Sequence, residues 1–397
     1  MPRRNTLFFV LDIISHYYAA MTIPFNIPPH SENALKYIEN SFRGSKLSGD
    51  GDYNKKCVHW LNNYFKSKLS VVTPSCTSAL EMSMLLADIG PGDEVILPSY
   101  TFSSTANAVV IFGAIPVFVD IEPDTMNISP AEIKKAITPK TKMIMPVHYA
   151  GVGCKMDEIM AIAQEHSLIV VEDAAQGMLA SYKNKPLGAI GHMSAVSFHD
   201  TKNIVCGEGG CLVINDDKFL ARAEIIRDKG TNRQKFLNGQ VDKYTWVDKG
   251  SSYLISEVTA AFLLAQLEDS QQITLPRLSA WATYHNGLKQ IEEKGHLKRM
   301  SIPKECLGNA HIYYILLNSQ DDRNKLAQFL KNEGIMTTSH YVPLHSAPAG
   351  RSFGRFVGDM NITDDLSNRL LRLPMHSHLK NEDTLTVVNK INLFFQN

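Results

Sequence analysis

The sequence lacks the cysteine pattern of a small disulfide-stabilised or zinc-binding protein. Its six cysteines include no CxxC pair and are spread along the chain: Cys57, Cys76, Cys154, Cys206, Cys211 and Cys306. In a chain of 397 residues, this spacing indicates free thiols in a reducing compartment and argues against a Cys-type zinc site. His148, His192, His199, His340 and His345 show no HxxxH or similar ligand spacing, and we expect no metal centre.

An excess of charge of one sign is also absent. Forty Lys and Arg residues balance forty Asp and Glu residues, so the formal net charge is zero. This balance argues against nucleic-acid binding driven by bulk electrostatics, and we expect no nucleic-acid partner. Gly and Pro are near average, at 24 and 18 residues, and aromatic residues are plentiful, which excludes collagen-like and disordered classes.

Long hydrophobic runs are missing, including at the N-terminus. The apolar stretch at residues 7–10 ends before Asp12 and is too short for a membrane span or a good secretion signal. Met21 opens a second plausible start. We therefore interpret residues 1–20 as an extension outside the fold, and expect a cytoplasmic protein with no membrane partner.

What the sequence does contain is a regular alternation of short apolar runs and helical patterns. The runs at residues 95–98, 116–120, 143–147, 168–173 and 195–198 are bounded by turn or polar residues, and several are continuously apolar. Candidate helices lie between them, for example at 77–87 and 156–166. This order predicts an α/β fold with a mostly parallel sheet covered by helices on both faces. Functional groups of such sheets gather at the carboxyl ends of the strands.

The pattern changes near residue 250. A helix is predicted at residues 257–269, and a long connector helix at about 276–294 after Pro276. A strand at 312–317 and helices at 323–333 and 382–395 follow. We predict two domains, a large one over residues 21–270 and, over 271–397, the connector helix with a smaller α+β domain.

Hydroxyl-rich residues end the first β-type run and open a helix. The segment is Thr73-Pro74-Ser75-Cys76-Thr77-Ser78-Ala79-Leu80. Free N–H groups and the helix dipole at such a terminus favour a phosphate. An ordinary N-cap is the competing interpretation. No GxxxxGK[ST] motif is present, so a nucleoside triphosphate loop is disfavoured.

Two charged residues follow later strands. Asp173 ends a buried strand, where a carboxylate is costly unless a cation meets it, although an N-cap role is also open. Lys202 follows the 195–198 strand within polar, Gly-rich sequence. A lysine there is suited to a Schiff base if burial lowers its pKa, and a surface lysine is the alternative.

Taken together in this order, the motifs resemble the pyridoxal-phosphate-dependent nucleotide-sugar aminotransferases of the DegT type. The matching segments are residues 98–107 (PSYTFSSTAN), 172–176 (EDAAQ), 197–203 (SFHDTKN) and 207–210 (GEGG). The resemblance runs from Met21 to the C-terminus. It implies a fold-type-I transferase, similar to aspartate aminotransferase, that binds pyridoxal 5'-phosphate (PLP) and works as a homodimer with shared active sites.

The resemblance also implies roles, position by position. Lys202 would form the Schiff base and shuttle the proton, and Asp173 would keep the pyridine nitrogen protonated. The remaining cofactor contacts would come from Gln176 at the ring hydroxyl, Phe102 stacked on the ring, and Thr77, Ser78 and Ser197 at the phosphate. Tyr341 and His345 are substrate-binding candidates, whereas His148, His192, His199 and His340 are read as ordinary polar positions.

One segment departs from the family pattern. Where family members often carry Asn or Arg in a loop that reaches the neighbouring subunit's phosphate site, this chain has Gly250-Ser251-Ser252-Tyr253-Leu254. The contact between subunits would then come from a serine or be missing.

Further likeness concerns the substrate and rests on residues 48–51, 146–152, 228–233 and 239–246. It implies transfer of the amino group of L-glutamate to C4 of dTDP-4-keto-6-deoxy-D-glucose, giving the galacto product for a cell-surface polysaccharide such as enterobacterial common antigen or O-antigen. Another keto-sugar nucleotide, giving the gluco epimer or linked to GDP or UDP, is the alternative. A sugar dehydratase would commonly carry histidine in place of Lys202. A non-catalytic scaffold or regulator is disfavoured by the intact Lys, Asp and Gln set.

Overall fold

The computed structural model describes residues 23–396. The predicted extension at residues 1–20 lies outside this range. The helices are, in chain order, α1 (Ala34–Arg43), α2 (Asp52–Phe65), α3 (Cys76–Leu86), α4 (Ser103–Val110), α5 (Pro130–Ala136), α6 (Met156–Glu165), α7 (Leu220–Ile226), α8 (Arg233–Leu237), α9 (Glu257–Glu268), α10 (Ser270–Gly287), α11 (Lys289–Glu293), α12 (Gln320–Asn332), α13 (Pro348–Phe353), α14 (Asn361–Arg369) and α15 (Asn381–Phe394).

The strands form one large and two small sheets. In chain order they are β1 (Leu69–Thr73), β2 (Glu94–Pro98), β3 (Ile115–Val119), β4 (Thr141–Ile144), β5 (Ile169–Asp173), β6 (Ser181–Tyr182), β7 (Lys185–Pro186), β8 (Met193–Ser197), β9 (Gly210–Ile214), β10 (Leu297–Arg299), β11 (Cys306–Leu307), β12 (Tyr313–Leu317), β13 (Arg355–Phe356) and β14 (Leu370–Leu373).

The large sheet has eight strands in the order β1-β9-β8-β5-β4-β2-β3-β13. Only β9 runs antiparallel to its neighbours, β1 and β8, whereas the other paired strands are parallel. Every residue of β2, β8 and β9 is buried, as expected for strands covered on both faces. The predicted fold class, a mostly parallel sheet of fold type I, is confirmed.

A smaller antiparallel sheet, β10-β12-β14, organises the C-terminal part. Its own apolar cluster includes Tyr313, Ile315 and Leu371, together with residues of α10, α12 and α15. The beginning of the described chain joins this cluster, because Ile23 N–H donates to Gly334 O at 3.1 Å. The proposed division at residue 270 remains a prediction.

The connector differs from its predicted form. The helix α10 begins at Ser270, contains Pro276 within it, and ends at Gly287, after which the short α11 begins. Pro276 lies in the second turn and has no backbone N–H, so one hydrogen bond within the helix is missing there. The prediction that the helix starts after Pro276 was therefore wrong by about two turns. None of the helices in residues 23–396 combines the length and apolar composition needed to cross a membrane.

Candidate active site

A cavity of about 530 Å³ opens at the carboxyl ends of the large-sheet strands, between that sheet and the C-terminal part. The start of α3, the loop before α4, the ends of β5 and β8, and the edge of the small sheet all contribute to its wall. Its wall includes Phe25, Ser75, Cys76, Thr77, Phe102, Thr105, Asp173, Gln176, Ser197, Lys202, His311, His340, Tyr341 and Arg372.

The start of α3 presents free backbone N–H groups to this cavity. Ser75 caps the helix, since its Oγ accepts from Ser78 N–H at 3.0 Å. Thr77 lies on the cavity wall and donates to Ser104 Oγ at 2.8 Å. A Cβ built on Gly210 would lie 2.4 Å from Cys76 N, so only glycine lets β9 pack this closely under the helix start. The arrangement suits a phosphate, as the sequence predicts.

Ser78 and Ser197 occupy different positions. Ser197, the last residue of β8, lies on the cavity wall. Ser78 Oγ instead lies 3.0 Å from Ser75 Oγ, within the cap, and is not part of the wall. Of the three predicted phosphate ligands, the structure therefore brings Thr77 and Ser197 together on the cavity wall. The side chain of Ser78 belongs to the helix cap instead.

Asp173 is the last residue of β5 and lines the cavity, and few hydrogen-bond donors surround its carboxylate. Its Oδ2 accepts from Thr105 Oγ1 at 2.8 Å, and its Oδ1 accepts from Ala175 N–H at 3.1 Å. Burial raises the pKa of Asp173, and these two hydrogen bonds offset that effect only in part. A buried carboxylate in this condition favours a ligand that carries a positive charge or a strong N–H donor. Sequence reasoning did not find Thr105 in this role.

Lys202 lies in the loop between β8 and β9. The loop is closed by Asp200 N–H donating to Gly207 O at 3.0 Å and by Cys206 N–H donating to Phe198 O at 2.8 Å. Burial lowers the pKa of Lys202, the Asp173 charge opposes this, and the Arg372 charge adds to it. A lowered pKa increases the share of neutral amine, which is the nucleophilic form.

Asn203 fixes this loop to the C-terminal part. Its Nδ2 donates to Asn309 O at 2.8 Å, and its Oδ1 lies 3.0 Å from His311 Nδ1. Burial lowers the pKa of His311 well below its usual value, so the ring is neutral and donates to Asn203. The position of Lys202 thus depends on residues more than one hundred positions away, which no local pattern reveals.

Gln176 and Tyr341 face the cavity together. Gln176 Oε1 accepts from Ala150 N–H at 2.7 Å, and Nε2 donates to Tyr341 Oη at 2.9 Å. Tyr341 stacks on His340, with ring centroids 3.7 Å apart, and burial raises its pKa. The amide is oriented by these partners, so a ligand hydroxyl would meet a side chain held in one position.

Phe102 and His345 complete the predicted set. Phe102 lies directly before α4 and is 58% exposed although it borders the cavity, so one ring face is free. His345 is buried outside the cavity wall: its Nδ1 lies 2.7 Å from Ser99 Oγ, and its backbone N–H donates to the same oxygen. The structure therefore gives His345 a position that holds the loop after β2.

The other histidines occupy varied positions. His340 borders the cavity, and its Nδ1 lies 2.8 Å from Tyr149 Oη. His148 is buried beneath the site, where its Nε2 lies 2.7 Å from Glu172 Oε2. Within residues 23–396 no group of three or more His, Cys, Asp or Glu residues is arranged to hold a metal ion.

The chain matches known proteins over nearly its full length. Residues 28–392 match the DegT/DnrJ/EryC1/StrS aminotransferase family. The chain is 36% identical over 364 residues to a pleiotropic regulatory protein of Geobacillus stearothermophilus, covering 91% of this chain and 94% of that one. It is 30% identical over 378 residues to the spore coat polysaccharide biosynthesis protein SpsC of Bacillus subtilis, covering 93% and 96%.

A solved structure agrees in fold. The aminotransferase from Psychrobacter cryohalolentis superposes with a TM-score of 0.87 at 27% identity, covering 94% of this chain and 99% of that one. The chain belongs to the DegT/DnrJ/EryC1/StrS aminotransferase family. It is a PLP-dependent sugar aminotransferase. The cavity residues fit that cofactor, because the carboxylate of Asp173, which has only two hydrogen-bond donors, the buried amine of Lys202 and the N-terminus of α3 face one space.

Proposed function

We propose that this aminotransferase moves the amino group of L-glutamate to C4 of dTDP-4-keto-6-deoxy-D-glucose, as a dTDP-4-amino-4,6-dideoxygalactose transaminase does. The observation that carries the proposal is the meeting of Lys202, Asp173 and the start of α3 in one cavity. The substrate itself rests on the sequence likeness at residues 48–51, 146–152, 228–233 and 239–246.

Each residue would have one task toward PLP. When bound, the cofactor supplies an aldehyde that accepts the amino group and a ring that takes up electrons. Lys202 provides the amine that holds the cofactor and moves a proton between the substrate carbon and the cofactor. Asp173 keeps a proton on the ring nitrogen, because its buried carboxylate is stabilised by a positive partner. Thr105 and Ala175 orient that carboxylate.

The remaining cavity residues would bind and orient. Thr77 and Ser197, with the N–H groups at the start of α3, hold the phosphate. Phe102 covers one face of the ring, and Gln176, fixed between Ala150 and Tyr341, meets the ring hydroxyl. Tyr341 is the substrate contact that we retain from the sequence, whereas the burial of His345 against Ser99 favours a supporting role.

In this proposal a second copy of the chain contributes residues to the active site. The segments at residues 230–233 and 239–246, which we associate with the sugar, and the residues between them do not border the cavity of their own chain. Three aromatic side chains in this segment are exposed: Phe236 by 40%, Tyr244 by 52% and Trp246 by 76%. In a homodimer with shared sites, this segment would reach the partner's substrate. The serines of the 250–254 loop, where Ser251 N–H donates to Ile226 O at 3.2 Å, would supply any phosphate contact between subunits.

The test is direct. The purified protein, L-glutamate and a panel of dTDP-, UDP- and GDP-linked keto sugars should give an amine product by mass spectrometry from the dTDP-4-keto-6-deoxy sugar. Proton NMR of that product should show a small H3–H4 coupling, because an axial C4 amine leaves H4 equatorial. A large coupling would identify the gluco epimer, and turnover of only a UDP- or GDP-linked sugar would identify another member of the family.

The biological role follows from the product. A dideoxy amino sugar on a nucleotide is an activated building block, and we propose that it serves a cell-surface polysaccharide such as enterobacterial common antigen or O-antigen. The likeness to the Bacillus subtilis polysaccharide protein supports polysaccharide synthesis in general.

A further inference from the structure

Asn309 lies in the short segment between β11 and β12, where the chain passes from the pairing of β11 with β6 to the sheet β10-β12-β14. It is 1% exposed and does not border the active-site cavity. Its side chain and its main-chain carbonyl are nonetheless bonded to segments that form the cavity wall. A buried amide in this place can act on the reaction only through the residues that it holds.

The side-chain amide of Asn309 holds the loop after β5. Its Nδ2 donates to Gln176 O at 2.8 Å and to Met178 O at 2.7 Å, and its Oδ1 accepts from His311 N–H at 3.0 Å. An amide nitrogen has two N–H groups, so both are used. The main chain of Gln176 is therefore fixed from the side of the C-terminal part.

Asn309 also packs against the turn that orients the side chain of Gln176. A Cβ built on Gly151, which has a φ of +73°, would lie 1.9 Å from Asn309 Oδ1, so only glycine fits there beside Asn309. The preceding residue, Ala150, donates its N–H to Gln176 Oε1 at 2.7 Å. Asn309 thus meets the two segments that set the main chain and the side chain of Gln176.

The main chain of Asn309 holds the loop of Lys202. Its carbonyl accepts from Asn203 Nδ2 at 2.8 Å, and Asn203 Oδ1 lies 3.0 Å from His311 Nδ1. Asn203 follows Lys202 directly in the chain. Because burial lowers the pKa of Lys202, the loop position that these bonds set also determines how much of the amine is neutral.

We propose that Asn309 is a positioning residue, which orients Gln176 through its side chain and the loop of Lys202 through its main chain. One residue behind the cavity then sets two contacts of the cofactor from the C-terminal part. The inference rests on the proposed roles of Gln176 and Lys202 toward PLP.

Asn309→Ser removes the side-chain bonds, because serine cannot supply two N–H groups. Misplacement of a contact by about 1 Å can cost about 10²-fold, so kcat should fall by about 10- to 100-fold. The absorbance maximum of bound PLP should move in the same direction as in Gln176→Leu, since Gln176 meets the ring hydroxyl. The double variant should be little worse than Gln176→Leu alone, because a residue that acts through Gln176 adds nothing once that side chain is lost.

Asn215→Ser is the matched control. Asn215 Nδ2 also donates to two backbone carbonyls, Gly188 O at 3.1 Å and Gly191 O at 2.9 Å, and it lies outside the wall of the active-site cavity. This control should lower the Tm of the cofactor-free protein and leave kcat and the absorbance maximum unchanged. Asn309→Asp keeps the shape and the Oδ1 acceptor but loses both donors, and it repeats the test if the serine variant does not fold.

Asn203→Ser removes the main-chain bond of Asn309 from its other end. The rate at which the cofactor-free protein takes up PLP, measured against pH, reports the pKa of Lys202. Release of the loop would expose the amine to water, so this pKa should rise toward its usual value of 10.5 and the midpoint of the profile should move to higher pH. Asn309→Ser keeps the main-chain carbonyl and should leave the midpoint near that of the wild type.

Several outcomes would overturn the inference. A lowered Tm of Asn309→Ser with the kcat and absorbance maximum of the wild type would show a purely structural role. Additive losses in the double variant would show that Asn309 acts through another residue, and an unmoved midpoint in Asn203→Ser would refute the link to Lys202. If Gln176→Leu itself changes neither kcat nor the absorbance maximum, the proposed role of Gln176 fails together with the inference. If Gln176→Leu changes both and Asn309→Ser changes neither, the inference alone fails.

Discussion

Glu172 and Asp173 are adjacent carboxylates on β5, and they occupy opposite faces of the strand. Glu172 is surrounded by donors: the N–H groups of Gly188, Ile190 and Gly191 at 2.9, 2.8 and 2.6 Å, and His148 Nε2 at 2.7 Å. Asp173 has two donors. Both side chains are buried, at 0% and 4% exposure.

Their pKa values move in opposite directions. Burial raises the pKa of both carboxyls, but for Glu172 the hydrogen bonds from His148 and the backbone outweigh burial, and its pKa is lowered. For Asp173 burial prevails, and its pKa is raised. The difference shows that burial alone does not define a functional acid. A buried carboxylate whose hydrogen-bonding capacity is filled by the protein stabilises the fold. A buried carboxylate with few hydrogen-bond donors is able to bind a ligand.

Lys202→Ala should give the largest effect on activity. The change concerns the cavity that Asp173 faces, and the surroundings of Glu172 should stay as they are. The change removes the amine that holds the cofactor and moves the proton, so turnover should fall by at least about 10²–10⁴-fold. The visible absorbance of the bound cofactor should change, while far-UV circular dichroism stays that of the wild type. Normal multiple turnover without an added amine would contradict the role of Lys202.

Glu172→Gln should have the opposite pattern: a large effect on stability and a small effect on activity. More than one buried N–H group would lose its acceptor, at ~1–3 kcal/mol each, so the free energy of unfolding should fall by about 3 kcal/mol. Urea unfolding of the cofactor-free protein measures this. Activity of the remaining folded enzyme should fall much less than in Lys202→Ala. A variant as stable as the wild type would remove the contrast between the two acids.

Asp173→Asn should reduce kcat by about a hundredfold, because the ring nitrogen would lose the charge that keeps it protonated. Much of the cofactor affinity should remain, since Thr77, Ser197 and the start of α3 still hold the phosphate. Spectroscopic titration with PLP, alongside kcat, separates the two quantities. An equal loss of binding and rate would show that Asp173 is structural, as Glu172 is.

The smallest effect concerns the pH dependence of stability, and its sign differs between the two acids. The lowered pKa of Glu172 contributes stability above its unfolded value of about 4.3, which is lost as the pH falls through the folded value. The raised pKa of Asp173 has the reverse effect: its charged form costs stability at neutral pH, and the cost disappears as the pH falls through the folded value toward about 3.9.

For the cofactor-free protein, the cost of Glu172→Gln should therefore shrink on acidification. Asp173→Asn should be at least as stable as the wild type at neutral pH, and that advantage should shrink on acidification. Thermal unfolding from pH 7 downward, for as long as each protein stays folded, compares the two variants. Parallel pH profiles would mean that the two carboxylates have similar surroundings.

The sequence by itself determined the large sheet and much of the cavity wall. Continuous apolar runs mark strands that are buried on both faces. In a parallel sheet these strands all end at the same edge. For this reason Asp173 and Lys202 could be placed at one edge from local patterns, whereas the role of Ser197 came from the family resemblance. The cap at Ser75 is equally local, since its bond to Ser78 spans three residues.

Only the tertiary structure decided which side chains act on these residues. Thr105 meets Asp173 across 68 positions, and Asn203 meets His311 across 108. Arg372 reaches the cavity from a different sheet, where its neighbours in sequence form an ordinary buried strand. Periodicity records which face of an element is buried, but the partner on that face depends on how the elements pack. The four donors of Glu172 and the two donors of Asp173 therefore belong to the fold, and no local pattern contains them.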